Sequence, residues 1–311
     1  MQRSLVGSEM CIRDRGENLV HLNVRFSTET ELKKIQDFLY EKSGQGVSFT
    51  GLVEAMVNEV PIVTAVHNIK SNKGSKTAGV DKIKMDKYLQ MPKDELILLI
   101  QSCFRNYRPK PARREYIEKS NGKKRPLGIP TVLDRIIQEC VRIIIEPICE
   151  ARFYPQSYGF RPYRAQKHAI RGIINVINAG CKSPDQPVWA IEGDIKGCFD
   201  NINHRLLLQK LWRIGIHDKR VLKIISQMLK AGYMENDLFH ATELGTPQGG
   251  ILSPLLSNVY LNDFDWYVGR MYMEPHRQCK HKGNDTRRLK WAGVTPVSYT
   301  HLRAHETTLH L

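Results

Sequence analysis

Asp194 is the residue of this chain whose type and position most directly suggest chemistry. It lies in the run 188–200, whose first residues predict a short apolar strand that ends in a carboxylate before a glycine. A carboxylate mounted on a strand end is a hard oxygen ligand of the kind that Mg²⁺ takes in phosphoryl transfer. A capping or solvated aspartate explains the same pattern, and capping is the favoured interpretation of Asp200. The 311 residues contain no Asp-Asp pair, so the sequence supplies one half of such a site.

Two nearby residues have both a structural and a chemical interpretation. Phe199, five residues after Asp194, suits either a core position or a wall beneath the sugar of a nucleotide, where a ring would exclude a 2′-hydroxyl. Gln248 stands between Pro247 and two glycines in a tight turn. Glycines allow close backbone approach to a ligand, and a glutamine offers both a donor and an acceptor, although an ordinary turn has the same composition.

Basic side chains are concentrated around one predicted hairpin. The hairpin has its turn at residues 120–125; it is flanked by Lys119, Lys123, Lys124 and Arg125 and preceded by Arg113 and Arg114. Cations in this position suit a triphosphate or a nucleic-acid backbone, and a solvated charged face is the alternative. Arg161 and Arg164 lie among tyrosines and a phenylalanine, a mixture that can pair with phosphates and stack on bases.

The elements that must position these residues follow from periodicity and capping signals. Helices are predicted over about 28–42, 52–58, 63–69, 93–105, 131–147, 165–179, 203–214, 218–231 and 252–270. Strands are predicted over 114–119 and before Asp194, with a hairpin over 233–244 and a polar, basic loop over 70–81. Helices that alternate with a few strands indicate an α+β fold, with helices packed on a small antiparallel sheet.

Composition points to a polyanionic partner. The chain has 47 Lys and Arg against 32 Asp and Glu, a net charge of +15. Nucleic acid is the usual partner of such a charge, and a merely soluble basic protein is the alternative. The seven cysteines form no C-x-x-C pair and suit a reducing compartment, which predicts a cytoplasmic protein. No apolar run reaches about 18 residues, so no membrane span is predicted.

Both ends of the chain differ from the rest. Met1–Arg15 and Val297–Leu311 resemble translated sequencing-adapter read-through and show no clear periodicity. We therefore expect the genuine protein to occupy roughly residues 16–296 and to have been cut at both ends. Between these limits, His276, Cys279 and His281 lack a second ligand pair, so a solvated loop is favoured there over zinc.

Five strings, in order, carry a resemblance to a known family. They are Asn72–Asp81, Arg125–Thr131, Ser157–Pro162, Glu192–Ile202 and Gly245–Pro254, across about 190 residues. Together they resemble the reverse transcriptase of group II introns, the intron-encoded reverse transcriptase–maturase. The resemblance covers nearly everything from Glu31 to Arg270 and implies a right-hand polymerase with fingers and a palm.

The resemblance implies a role for each matching residue. Asp194 would be the first catalytic metal ligand, with the backbone carbonyl of Ile195 beside it, in a two-Mg²⁺ site. Phe199 would select deoxynucleotides, and Gln248 would line the nucleotide pocket. Lys119 and Arg125 would hold the triphosphate. The RNA-binding residues would be Lys73, Lys76, Arg113, Arg114, Arg161 and Arg164, with the Asn72–Asp81 loop lying over template RNA.

The implied organisation leaves the catalytic site incomplete. The expected segments are a tail (1–15), an N-terminal extension with the start of the fingers (16–110), the fingers (111–187), a partial palm (188–272), a basic insertion-like segment (273–296) and a second tail (297–311). The family's Tyr-Ala-Asp-Asp turn, which supplies the other catalytic carboxylates, has no counterpart. Asp263 and Asp265 cannot replace it, because residues two apart on a helix face different directions. A local departure is Lys82, where the family commonly has glycine.

The implied partners are group II intron RNA, an RNA template with a DNA primer, and deoxynucleotides, with the oligomeric state left open. The implied parent protein is an RNA-directed DNA polymerase that also assists intron splicing and mobility, and this chain is expected to bind RNA but to polymerise poorly or not at all. An RNA-binding maturase or chaperone without polymerase activity is the alternative. Another primer-dependent reverse transcriptase, such as a retron enzyme, fits the Asn72–Asp81 and Arg125–Thr131 strings less well.

Overall fold

The structure, a computed structural model, describes residues 13–14, 18–118, 122, 124–180, 192–195, 197–246 and 249–273. The chain divides into two units. The first takes in residues 1–152 and 197–257, and the second takes in 153–196 and 258–311. No helix among the described residues is both long enough and apolar enough to cross a bilayer.

The first unit begins with a small sheet and a capped helix. Strands β1 (Arg13–Asp14), β2 (Leu19–His21) and β3 (Ser48–Thr50) form one sheet, in which β2 and β3 run parallel. Helix α1 (Glu29–Gly44) joins β2 to β3 and confirms the first predicted helix. The Thr28 hydroxyl accepts a hydrogen bond from the Glu31 amide at 3.2 Å, as a capping box requires.

Shorter helices follow. They are α2 (Leu52–Met56), α3 (Glu59–Ser71), a 3₁₀ turn (Lys73–Lys76), α4 (Met85–Leu89) and α5 (Lys93–Arg105). Helix α5 has the predicted bounds. The predicted loop over 70–81 is wrong at its start, because α3 extends to Ser71 and a helical turn occupies 73–76. Helix α3 extends further than the polar sequence suggested because its apolar stripe is buried, with Ile62 and Ile69 almost fully inaccessible to solvent.

A hairpin and a long core helix come next. Strands β4 (Ala112–Glu118) and β5 (Lys124–Ile129) pair antiparallel, which confirms the predicted hairpin. Helix α6 (Val132–Glu150) packs against α1 and α3 and buries most of its length. Ile136, Ile137 and Ile144 are at most 1% exposed, and burial of each such side chain stabilises the fold by about 1.5–3 kcal/mol. The helix continues through Pro147 to Glu150.

The remaining elements complete a second sheet. They are α7 (Gln166–Gly180), α8 (His204–Ile214), α9 (Lys219–Leu229), β6 (Tyr233–Glu235), β7 (Leu238–His240) and α10 (Ser253–Val268), which ends in a π turn (Gly269–Met273). The sheet order is β5-β4-β6-β7. The α+β class is confirmed. The predicted antiparallel pairing is not complete: β4 and β6 run parallel, with Ala112 paired to Tyr233 across more than a hundred residues, as do β2 and β3.

The second unit contains α7 and most of α10, and Tyr154 lies at its core. The Tyr154 amide donates to the Asn262 side chain at 3.1 Å, and its ring meets Trp266 edge-on with centroids 5.2 Å apart. Gly269 lies directly against the same ring, where a β-carbon would collide. On α10, Asp263 is exposed and Asp265 is 1% exposed, which confirms that the two carboxylates face different directions.

Candidate functional site

The β4–β5 hairpin presents its basic residues on both faces. Arg113 pairs with Ile129 and Ile117 pairs with Arg125. Because paired residues share a face and alternate residues along a strand do so too, Arg113 and Arg125 lie on the same face. Arg114 lies on the other face, with its guanidinium 3.8 Å from the centre of the Tyr233 ring. Lys119 lies outside the described residues.

The Gly245–Pro254 segment lies against this hairpin. A β-carbon on Gly249 would come within 2.5 Å of the Gly128 carbonyl and 2.8 Å of the Leu127 side chain, and Gly249 has a φ of +109°. Only glycine fits such an approach. Leu127 is two residues from Arg125 and shares its face, so the segment lies next to the face that carries Arg125. Gln248 itself lies outside the described residues.

The same segment is joined to the residues after Asp194. The Thr246 amide donates to the Phe199 carbonyl at 2.7 Å, and a β-carbon on Gly245 would lie 2.8 Å from that oxygen. The His204 imidazole donates through Nε2 to the Gly245 carbonyl at 2.6 Å. Phe199 is 8% exposed. Its ring is therefore in the core of the first unit, and its role as a wall for a sugar stays a prediction.

The Asn72–Asp81 loop is held on the hairpin and on α6. Arg113 donates through Nε and Nη2 to the Ala78 carbonyl, at 3.3 and 3.2 Å. Arg135, which is 8% exposed, donates to the carbonyls of Gly74, at 2.9 Å, and Thr77. Gly79 packs so tightly that a β-carbon there would lie 2.8 Å from the Thr131 nitrogen. Lys76 in this loop is exposed, and the side chain of Lys73 is outside the description.

Two side chains that the sequence did not single out make these connections. Arg135 holds the basic loop, and Gln138 accepts a hydrogen bond from the Ile251 amide at 2.9 Å. Both lie on α6 within a mostly apolar stripe. Their position in the sequence could have indicated this role, because an arginine and a glutamine on a buried helix face need polar partners. The segments Asn72–Asp81 and Gly245–Pro254 supply those partners.

A polar cluster at the start of α6 supports the loop. The Thr131 hydroxyl donates to Asp134 at 2.6 Å, and the Tyr107 hydroxyl donates to it at 2.9 Å. Burial raises the pKa of Asp134, and these two hydrogen bonds oppose the shift. Burial also raises the pKa of Tyr107 and lowers that of Arg135. The cluster fixes the entry of α6 and hence the position of Arg135.

Asp194 and Ile195 belong to the second unit and are exposed. Glu192–Ile195 have no regular secondary structure, and residues 188–191 lie outside the described part. The predicted strand end at Asp194 is therefore wrong for its last residues. Among the described strands none pairs with residues 192–195, and Gly197, whose φ is +58°, begins a turn three residues after Asp194.

The structure contains only some of the ligands that the predicted Mg²⁺ site requires. An exposed carboxylate followed by a carbonyl has the hard oxygen chemistry that Mg²⁺ requires. Among the described residues, no three His, Cys, Asp or Glu side chains form a cluster that could hold a metal ion. The described residues therefore do not make a complete two-metal site.

Arg161 and Arg164, in the second unit, contact their own chain. Arg161 is 7% exposed and donates through Nη1 to the carbonyls of Tyr154 and Ser157, each at 2.9 Å. Arg164 donates to the Pro155 carbonyl and lies 5.5 Å above the Tyr158 ring. Arg161 thus shapes the Ser157–Pro162 turn, and contact of either arginine with RNA stays a prediction.

Comparisons with known proteins identify relatives of this chain. Residues 117–270 match the family described as reverse transcriptase (RNA-dependent DNA polymerase). The chain is 43% identical over 232 residues to the group II intron-encoded protein LtrA of Lactococcus lactis subsp. cremoris, covering 74% of this chain and 37% of that protein. It is 43% identical to protein YkfC of Escherichia coli strain K12, covering 65% and 53% of the two chains.

A third relative comes from a fungus. The chain is 36% identical to an uncharacterized 91 kDa protein in the cob intron of Schizosaccharomyces pombe, covering 81% of this chain and 31% of that protein. The chain spans between about a third and a half of the length of these relatives. The match to the polymerase family begins on β4 and ends just after α10, so it contains the segments Arg125–Thr131, Phe199–Ile202 and Gly245–Pro254. The chain therefore belongs to the family of group II intron-encoded reverse transcriptases and maturases.

Proposed function

We propose that this chain is the fingers and partial palm of an RNA-directed DNA polymerase that acts with a group II intron. One observation supports this most strongly. The segments Asn72–Asp81 and Gly245–Pro254, far apart in sequence, both lie against the β4–β5 hairpin or the Arg125–Thr131 segment that follows from it, and Phe199–Ile202 is joined to Gly245–Pro254 by backbone hydrogen bonds. Such close approach of glycine-containing backbone beside arginines is suited to a triphosphate and its template.

The proposed roles follow from position and chemistry. Arg125, with Lys119, binds the triphosphate of a deoxynucleotide, while Phe199 and Gln248 shape its pocket. Arg113 positions the Asn72–Asp81 loop, whose lysines Lys73 and Lys76 contact template RNA. Asp194 and the carbonyl of Ile195 supply oxygen ligands for Mg²⁺, which when bound neutralises charge on the reacting phosphates.

We further propose that the 311-residue chain binds nucleic acid but does not extend a primer by itself. One catalytic carboxylate, Asp194, cannot hold two Mg²⁺ ions, and the sequence contains no Asp-Asp pair to add to it. Filter binding of a primer–template tests the nucleic-acid binding, and primer extension on the same RNA template tests the absence of polymerisation. We expect retention on the filter with affinity that falls steeply with salt, and no extension. Incorporation of deoxynucleotides by this chain would contradict the proposal.

A maturase role without polymerase activity is the second candidate. The observation in its favour is that many of the chain's cations, such as those of α8 and α9, lie outside the hairpin, where they suit RNA binding independent of polymerisation. The partner would be the intron RNA, bound in the cytoplasm as a ribonucleoprotein. The two candidates differ in nucleotide binding: a polymerase fragment protects its hairpin from proteolysis when a deoxynucleoside triphosphate is added, and a pure RNA chaperone does not.

A further inference from the structure

A groove in the first unit is lined by residues of α8, of α9 and of the segment 241–243. None of the metal-, nucleotide- or RNA-binding residues proposed above lines it, although His204, which donates to the Gly245 carbonyl, does. The volume of the groove is about 810 Å³, within the range of about 300–1,000 Å³ that small-molecule sites occupy. A connection of four residues, 215–218, joins the two helices. Short connections of this kind make antiparallel helix pairs. The residues that line the groove include Arg205, Leu208, Trp212, Leu222, Ser226 and Lys230.

The two ends of the groove differ in chemistry. Trp212 and Leu222 are near the connection, whereas Arg205 and Lys230 are at the opposite ends of their helices. On α8, residues 205 and 212 are seven positions apart, about 10 Å along the axis at 1.5 Å per residue. The groove therefore has an aromatic end and a cationic end on one continuous surface. Glu243 is the one carboxylate among the described residues that line it.

Trp212 is fixed in place but still accessible. Its indole stacks on the His217 imidazole with centroids 4.1 Å apart and planes 15° apart, and the side chain remains 38% exposed. One face of the ring is thus covered while part of the side chain lines the groove. A rigid, half-covered aromatic needs little ordering to accept a flat ligand, because its conformation is already restricted.

The surface around the groove is strongly positive. Residues 204–230 contain seven Lys or Arg residues and one carboxylate, Asp218, a net charge of +6. Asp218 is 4% exposed and pairs with Arg220, which also pairs with Glu54, so the other six cations of this stretch supply its excess positive charge. Cations together with an exposed aromatic are the combination by which proteins bind single-stranded nucleic acid, through phosphate contacts and base stacking.

We propose that the α8–α9 groove is a second binding site, for a short single-stranded RNA segment, with a base stacked on Trp212 and phosphates bound by Arg205 and Lys230. This inference rests on the nucleic-acid binding of the proposed function but not on polymerase activity. Charge complementarity selects RNA over an apolar or basic peptide. An acidic peptide is the competing occupant that the experiment must exclude.

The test is the affinity of the 311-residue chain for a short fluorescent oligouridylate, measured by anisotropy. We expect Trp212→Ala to weaken binding about tenfold and Trp212→Phe to restore most of it, since either ring can stack on a base. The double variant Arg205→Gln/Lys230→Gln should also weaken binding and should reduce the slope of log affinity against log salt by about 1.4, the value for two phosphates on a single strand.

The matched control is Arg213→Gln, because Arg213 is an exposed cation of α8 that does not line the groove. We expect this variant to bind within about twofold of the unaltered chain, and all variants to retain the thermal unfolding midpoint. Unchanged affinity in Trp212→Ala and in the double variant would overturn the proposal, as would an equal effect of Arg213→Gln. Displacement of RNA by oligoglutamate that is abolished by Trp212→Ala would also overturn it. Complete absence of RNA binding by the unaltered chain would instead contradict the proposed function.

Discussion

Gln138 on α6 accepts a hydrogen bond from the backbone amide of Ile251, at 2.9 Å and across 113 positions of sequence. This contact fixes the end of the Gly245–Pro254 segment on the core helix, while Gly249 packs on Leu127 of the hairpin. The segment that contains Gln248, which we propose lines the nucleotide pocket, is therefore held by a core side chain from a distant part of the sequence.

Replacing Gln138 by leucine tests this positioning. The Ile251 amide would lose its acceptor, and an unsatisfied buried donor costs about 1–3 kcal/mol of unfolding free energy. We expect faster amide hydrogen exchange over residues 249–252 and unchanged exchange in α1. Gln138→Glu, which keeps an acceptor oxygen, is the control. Equal exchange in the Leu variant and the unaltered chain would show that Gln138 does not hold the segment.

Asp218 caps two helices at once. Its Oδ2 accepts from the Leu52 amide at 3.0 Å, at the start of α2, and its Oδ1 accepts from the Arg220 amide at 3.0 Å, at the start of α9. Loss of one cap costs about 0.5–2 kcal/mol, so we expect Asp218→Ala to lower the unfolding free energy by at least about 2 kcal/mol. Urea denaturation measures this. Asp237→Asn, in the exposed β6–β7 turn, should stay within about 0.5 kcal/mol; a similar loss there would contradict the specific role of Asp218.

The ion pairs that Arg220 makes with Glu54 and Asp218 predict that the stability of the protein falls in acid. The hydrogen bond from Arg220 lowers the pKa of Glu54, and burial opposes the shift. Burial opposes ionisation of Asp218 too, but the hydrogen bond and charge of Arg220 outweigh it and lower the pKa of Asp218. Carboxyls with lowered folded-state pKa values contribute stability that is present above their unfolded values, about 4, and lost as pH falls through the folded values.

We therefore expect the unfolding free energy of the chain to fall as the pH drops below about 4. The decline should be shallower in Arg220→Gln, which removes the guanidinium hydrogen bonds and charge that lower both pKa values. Lys219→Gln, which removes the neighbouring exposed charge, is the control for net charge. Identical pH profiles for Arg220→Gln and the unaltered chain would contradict the assignment.

Two glycines of the Asn72–Asp81 loop should differ in their tolerance of alanine. A β-carbon on Gly79 would lie 2.7 Å from the Thr131 Cα, whereas one on Gly74 would meet nothing within 4 Å. The Thr131 backbone cannot move aside as the end of a flexible side chain can. We therefore expect Gly79→Ala to destabilise the protein by about 1–3 kcal/mol and to weaken template binding. Gly74→Ala should leave both unchanged. Equal stability of the two variants, by thermal unfolding, would show that the loop is not held against α6.

Local signals predicted much of this fold. The helices predicted to begin near residues 28, 131 and 203 begin there, where Thr28, Thr131 and Asn203 each accept a capping hydrogen bond, and the β4–β5 hairpin forms where it was expected. These features depend on neighbours within a few residues, so their patterns are visible in the sequence. Lys82, where the family commonly has glycine, has a left-handed φ of 57°, the region that favours glycine.

Features that depend on distant partners were not predictable. The parallel pairing of β4 with β6 joins strands more than a hundred residues apart, and the residues of β2 and β3 are too few to show alternation. Likewise, nothing near Arg135 in sequence indicates that the carbonyls of Gly74 and Thr77 will satisfy it. For the site, motif order indicated which segments matter, but only the structure indicates that Arg135, Gln138 and His204 hold them together.

The central proposal is a reverse transcriptase in which Asp194 is one of several catalytic carboxylates. The most direct test is primer extension on an RNA template by a chimera that joins residues 16–273 to the corresponding downstream part of the Lactococcus lactis relative. We expect this chimera to extend the primer and Asp194→Asn within it to lower the rate at least about 100-fold, with template binding unchanged. Extension at an undiminished rate by the Asp194→Asn chimera would contradict the proposal.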